Sequence, residues 1–129
     1  MVLVVVVVDT ALRGFPDSDA FPWQLRIGIT CRWLGDNGMP TSEEVEVVTA
    51  LGESTASAVD VDGNAVFLAR ITARGERGLL YRVHDPEQAN DSLQQLLAVH
   101  GSVQDWEFQM EYDPDWYLAK PELDLPPAV

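Results

Sequence analysis

From residue 23 to residue 33 the chain alternates without a break. Trp23, Leu25, Ile27, Ile29, Cys31 and Trp33 fall on one side, and Gln24, Arg26, Gly28, Thr30 and Arg32 on the other. A period of two over this length is the signature of a strand with one face in a core and one in water. Strands of that kind belong to antiparallel sheets covered on one side. The pattern returns near the end, where Trp106, Phe108, Met110 and Tyr112 alternate with Asp105, Glu107, Gln109 and Glu111. Residues 65–73 and 78–84 read as two further strands around the hairpin Arg74-Gly75-Glu76-Arg77. In the second of them Leu79, Tyr81 and Val83 oppose Leu80, Arg82 and His84.

Two helices separate these strands. Thr41 and Glu44 have the spacing of a capping box. Val45, Val48, Leu51 or Gly52, Thr55 and Val59 then recur at helical spacing, with Glu43, Glu46 and Glu53 between them. The second start is Asp85-Pro86-Glu87-Gln88: an N-cap, a proline at the first helical position, and a Gln able to reach back. Ala89, Leu93, Leu96, Leu97 and His100 share its apolar face, Gly101 stands where a helix ends, and His100 in the last turn suits the helix dipole.

The resulting order, β-α-β-β-α-β, predicts an α+β fold of the ferredoxin-like split βαβ type. Both helices lie on one face of a mainly antiparallel sheet, with the Trp23 strand central, between the last strand and the one that starts at Gly78. The Val run ahead of it is too β-branched and too short for a helix, so residues 3–8 are expected as an extra N-terminal strand, buried on both faces and added at an edge. Such a strand needs cover from the sheet or from a second copy, which makes a homodimer an expectation. The turn formers of residues 13–22 predict an exposed loop. Residues 1–119 are expected to form a single domain, followed by a Pro-rich tail over 120–129.

The charge balance limits the partners. With 21 Asp and Glu against 8 Lys and Arg, the net charge of −13 repels nucleic acid and anionic membranes. It suits a basic protein partner or nucleic-acid mimicry, and it also serves solubility by self-repulsion. The Val run is far short of the roughly 20 apolar residues of a membrane span and lacks the basic flank of a signal peptide. The single cysteine, Cys31, excludes an intrachain disulfide and falls on the apolar side of its strand, the place of a structural thiol. A cytoplasmic location is the expectation.

No phosphate loop, nucleophile elbow, HExxH or CxxC pattern is present, and no catalytic residue, cofactor or metal is expected. Asp113, Asp115 and Glu111 match no calcium-loop spacing. The candidate binding residues lie on the sheet face expected to be open: Arg26 and Arg32, flanked by Glu107 and Glu111 on one side and by Arg82 and His84 on the other. Arg70 joins them if Phe67, Ala69 and Ile71 point inward. Two readings stand: cross-strand ion pairs, or a face for a partner or small anion that uses the arginine fork. That face carries no aromatic residue for stacking bases, which argues against RNA.

Several short motifs resemble a bacterial family, the domain of unknown function 695. They are the Val run ending at Asp9, Gly38-Met39-Pro40 before an acidic helix, Thr72-Ala73-Arg74-Gly75 leading into Leu80-Tyr81, and Asp113-Pro114-Asp115-Trp116-Tyr117. The aromatic run expected in the fourth strand is thinned here to Tyr81. The family is similar in plan to the regulator of ribonuclease activity B, a small acidic protein that restrains an endoribonuclease by binding it. The resemblance implies a non-catalytic interaction or regulatory module, with no catalytic residues to carry over. The alternative is a small-anion, small-molecule or enzymatic site on the open sheet face.

Overall fold

A computed structural model describes residues 4–9, 12, 15–36, 39–100 and 105–124. Expectations for Leu3, Gly14, Gly38, Gly101 and residues 125–129 lie outside the described residues, as does the side chain of His100. The strands are β1 (Val4–Val8), β2 (Trp23–Thr30), β3 (Ala65–Ala73), β4 (Glu76–Val83) and β5 (Trp106–Tyr112). The helices are α1 (Ser42–Val59), α2 (Pro86–His100) and a single turn, α3 (Lys120–Leu123). The strands form one sheet in the order β1-β3-β4-β2-β5, every neighbouring pair antiparallel. Without β1 this is the ferredoxin-like split βαβ arrangement, with β2 between β4 and β5 as its alternation required. β1 is the added edge strand.

One face of the sheet packs under α1 and α2. Leu25, Ile27 and Ile29 of β2 meet Leu79, Tyr81 and Val83 of β4, Val48, Leu51 and Val59 of α1, and Ala89 and Leu93 of α2. Both helices begin as their caps dictate. Thr41 Oγ1 accepts from the Glu44 N–H at 3.3 Å, and Asp85 Oδ1 accepts from the N–H groups of Glu87 and Gln88. The returning halves of both boxes are spent elsewhere. The buried Glu44 carboxylate accepts from the N–H groups of Arg32 and Trp33, and Gln88 Oε1 accepts from Asn64 Nδ2 at 2.6 Å. Glu44 thereby ends the β2 ladder. The strand stops at Thr30 rather than running to residue 33, and Trp33 stands 69% exposed instead of in the core.

The other face differs from expectation. It carries a second apolar core, in which Leu68, Ala69 and Leu80 of the sheet pack against Leu12 from the β1–β2 connection and Trp116 and Ala119 from the chain after β5. Phe15, Phe21 and Leu123 border it, so the predicted tail contributes α3 to the cover. Half of this face is therefore dry. A bulge between Phe67 and Ala69 turns β3. Phe67 stays on the helix side, while Leu68, Ala69 and Ile71 join the second core, so Phe67, Ala69 and Ile71 do not share a face.

β1 is not buried on both faces. It pairs only with β3, and Val6 and Val7 are 38% and 42% exposed. The hairpin between β3 and β4 is tighter than predicted. Only Arg74 (φ 54°) and Gly75 (φ 77°) form the turn, the positive pair that a two-residue connection requires, and β4 begins at Glu76.

Candidate functional site

The face opposite the helices holds the predicted site residues, and the structure divides them. Arg82 was expected beside Arg26 on a wet surface; it is fully buried. The β1–β2 connection and the segment after β5 close over it. Its Nε donates to the Phe21 carbonyl at 3.2 Å, Nη1 to Gln24 Oε1 at 2.8 Å and to Asp113 Oδ2 at 2.9 Å, and Nη2 to the Asp113 carbonyl at 2.6 Å. The Trp116 ring lies 4.5 Å from the guanidinium carbon.

Asp113 completes this knot. It accepts from the N–H groups of Tyr117 at 3.1 Å and Leu118 at 2.9 Å. Burial pushes its carboxyl up, but the Leu118 N–H, the Arg82 hydrogen bond and the Tyr117 N–H together hold it below the usual carboxylate range. Burial acts on Arg82 in the sense that lowers its pKa, opposed by Asp113. The two residues cross-link the sheet to the chain that covers it, and leave no donor pointing to water. The sequence showed Arg82 on the correct face and not the lid above it.

Arg26 is an exposed arginine of this face. It pairs with Glu76 across the adjoining Gly28 and Gly78, where a Cβ at Gly28 would come within 3.0 Å of Glu76 Oε1. The guanidinium borders two hollows that share Arg26, Ile71 and Leu80 in their linings. One, of about 280 Å³, is lined by Gln24, Ile71, Leu80, Gln109, Glu111, Leu118 and Glu122 besides Arg26. The other, of about 260 Å³, runs past Arg74 and Ala73. Glu122 was not among the predicted residues. Its Oε2 is buried without a hydrogen-bond partner, and burial raises its pKa.

Glu111 lines the first hollow, whereas Glu107 pairs in register with Gly28 and is exposed. Arg32 lies beyond the end of β2 and His84 beyond the end of β4, where His84 Nδ1 meets the Ala20 carbonyl. The four basic candidates are thus separated into one buried knot, one grooved ion pair and two exposed strand ends.

The outer surface of the helical layer is a different candidate. α1 and α2 contain no Lys or Arg. Glu43, Glu46 and Glu53 of α1 and Glu87 and Asp91 of α2 are exposed, as are Val47 of α1 (42%) and Val99 of α2 (69%). Among the described residues no helix is long and apolar enough to cross a membrane.

A fold of two helices on an antiparallel sheet, with an added edge strand and a second core under its C-terminal segment, defines the class. A family model matches residues 2–118, and the chain belongs to that family, the family of unknown function DUF695. No curated protein and no solved structure matches it.

Proposed function

We propose that this chain is a non-catalytic interaction module that engages a basic protein surface through its helical layer. The observation that carries the reading is the sign of that surface. Five carboxylates stand exposed on α1 and α2, and neither helix contains a Lys or Arg. The rest of the molecule deepens the field, because Arg77 and Arg82 are internal and Arg26 is neutralised by Glu76. Val47, next to Glu46 on α1, adds an exposed apolar group beside these carboxylates, which steer an encounter while apolar contact excludes water.

The similarity in plan to the regulator of ribonuclease activity B supports an RNA-processing enzyme as the partner. Such enzymes bind RNA through basic surfaces, which an acidic module can occupy. The protein's setting in this reading is the bacterial cytoplasm.

The test is affinity capture from native lysate at low and high salt, with the triple variant Glu43→Gln, Glu46→Gln, Glu53→Gln beside the natural chain. The reading expects a basic partner retained at low salt, released at high salt and lost in the variant. Capture insensitive to both salt and the variant refutes it.

A second reading, a small-molecule site in the Arg26 groove, is favoured by the mixed lining of Ile71 and Leu80 with Gln109, Glu111 and Arg26. Arg26→Ala should then abolish any ligand-induced thermal stabilisation. A melting shift of the same size in the variant rules the groove out.

A further inference from the structure

In a chain with 21 acidic residues, one buried cation has no carboxylate. Arg77 of β4 is 7% exposed and points to the helix side of the sheet. Its Nε donates to Thr72 Oγ1 at 3.3 Å and its Nη1 to Thr49 Oγ1 at 3.0 Å, both neutral hydroxyls. The two ion pairs among the described residues belong to Arg26 and Arg82. Burial and then the neighbouring Arg70 pull the Arg77 pKa down; only Cys31 opposes them, and no carboxylate contributes. A buried charge without a counter-charge is unfavourable unless something supplies one.

The second cation sharpens the point. Thr72 pairs in register with Arg77, and Arg70 with Leu79, so Arg70 and Arg77 are diagonal neighbours on one face, roughly 7–8 Å apart at the backbone. Arg70 is half-buried, and among the described residues its side chain makes no ion pair or hydrogen bond. Two like charges held side by side repel each other, and in so acidic a molecule neither has taken a carboxylate. Thr49 and Thr72 each accept from Arg77, which leaves both hydroxyl protons free to donate. Thr49 and Arg70 are part-exposed, so the buried guanidinium lies one side chain below the surface.

We infer that Arg70, Arg77, Thr49 and Thr72 form a binding site for a small oxyanion of the phosphate class, held between α1 and the β3–β4 pair. Two guanidinium groups match the oxygens of a tetrahedral anion, and the two hydroxyls supply further donors. The occupant is small because α1 also carries Glu43, Glu46 and Glu53, whose field repels a polyanion.

The experiment compares thermal unfolding in sodium phosphate and in sodium chloride at equal ionic strength, for the natural chain, Arg70→Gln and Thr49→Val. Arginine side-chain NMR reports on Arg77 directly. Phosphate is expected to raise the melting temperature beyond chloride and to shift the Arg77 Nε resonance. Arg70→Gln should melt no lower than the natural chain in chloride, since a repulsion is removed, while its apparent phosphate affinity falls by about tenfold or more. Thr49→Val should weaken the response without abolishing it. Equal stabilisation by phosphate and chloride, or an undiminished phosphate response in Arg70→Gln, overturns the inference.

Discussion

Replacing Asp113 with Ala tests how the second core is held. The substitution removes the carboxylate that accepts from Arg82 at 2.9 Å and strands the N–H groups of Tyr117 and Leu118. Breaking one side of a buried ion pair costs about 3–5 kcal/mol, since the partner stays buried and uncompensated. At roughly 2.1 cal/mol/K of unfolding entropy per residue, 129 residues convert this into a melting-temperature drop of about 11–18 °C. Arg82→Met in the Asp113→Ala background should cost far less than in the natural chain, because the stranded charge is then gone.

Urea unfolding followed by far-ultraviolet circular dichroism gives all four stabilities of the cycle. Acid titration adds an independent arm. The folded Asp113 pKa is depressed, so its stabilisation is present above the unfolded value of about 4 and is lost as pH falls through the lower folded value. Asp113→Ala should flatten that acid limb. A loss below about 1 kcal/mol, or strictly additive single and double variants, would refute the argument.

Other perturbations probe other joints. Glu44→Ala should cost about 1–3 kcal/mol by leaving the Arg32 and Trp33 N–H groups unpaired. In hydrogen exchange those two amides should lose protection while Ile27 keeps its own. Tyr81, whose phenol burial pushes up to about 12 with help from Asp60, should ionise later than an ordinary tyrosine in ultraviolet titration. Its raised pKa means that stability falls as pH rises from the unfolded value near 10 towards 12. A melting temperature flat across that window contradicts the burial. Val6→Lys on β1, opposite Ile71 rather than a cation, should change stability by no more than about 0.5 kcal/mol and suppress any strand-mediated association seen by sedimentation.

What the sequence made legible follows from which signals are local. The alternation of β2, the Thr41 and Asp85 caps and the helical spacing of Val48, Leu51, Thr55 and Val59 are short-range, and together they led to the ferredoxin-like order. The fate of Arg82 is not local. Its partners Phe21 and Gln24 lie about 60 residues before it and Asp113 some 30 after it, and nothing in the alternation of β4 announces that Leu12, Phe15, Phe21 and residues 113–123 fold over it. Glu44 misled in the same way: its spacing fits a capping box, yet its carboxylate serves a strand end 12 residues upstream. The register of β3 was hidden because a one-residue bulge at Leu68 reverses the faces predicted from a strict period of two. The sequence puts Arg77 in the hairpin, and only the two-residue turn at Arg74 and Gly75 places it inside the sheet.

Long-range attraction between the acidic helical layer and a basic partner is what drives association in this reading. Stopped-flow measurement of the association rate with the captured partner, from about 20 mM to about 300 mM salt, tests this most directly. The rate should fall at least tenfold over that range, and the Glu43→Gln, Glu46→Gln, Glu53→Gln chain should begin near the high-salt value. A rate constant that is the same at both ends of the range, in the natural chain and the variant alike, would contradict it.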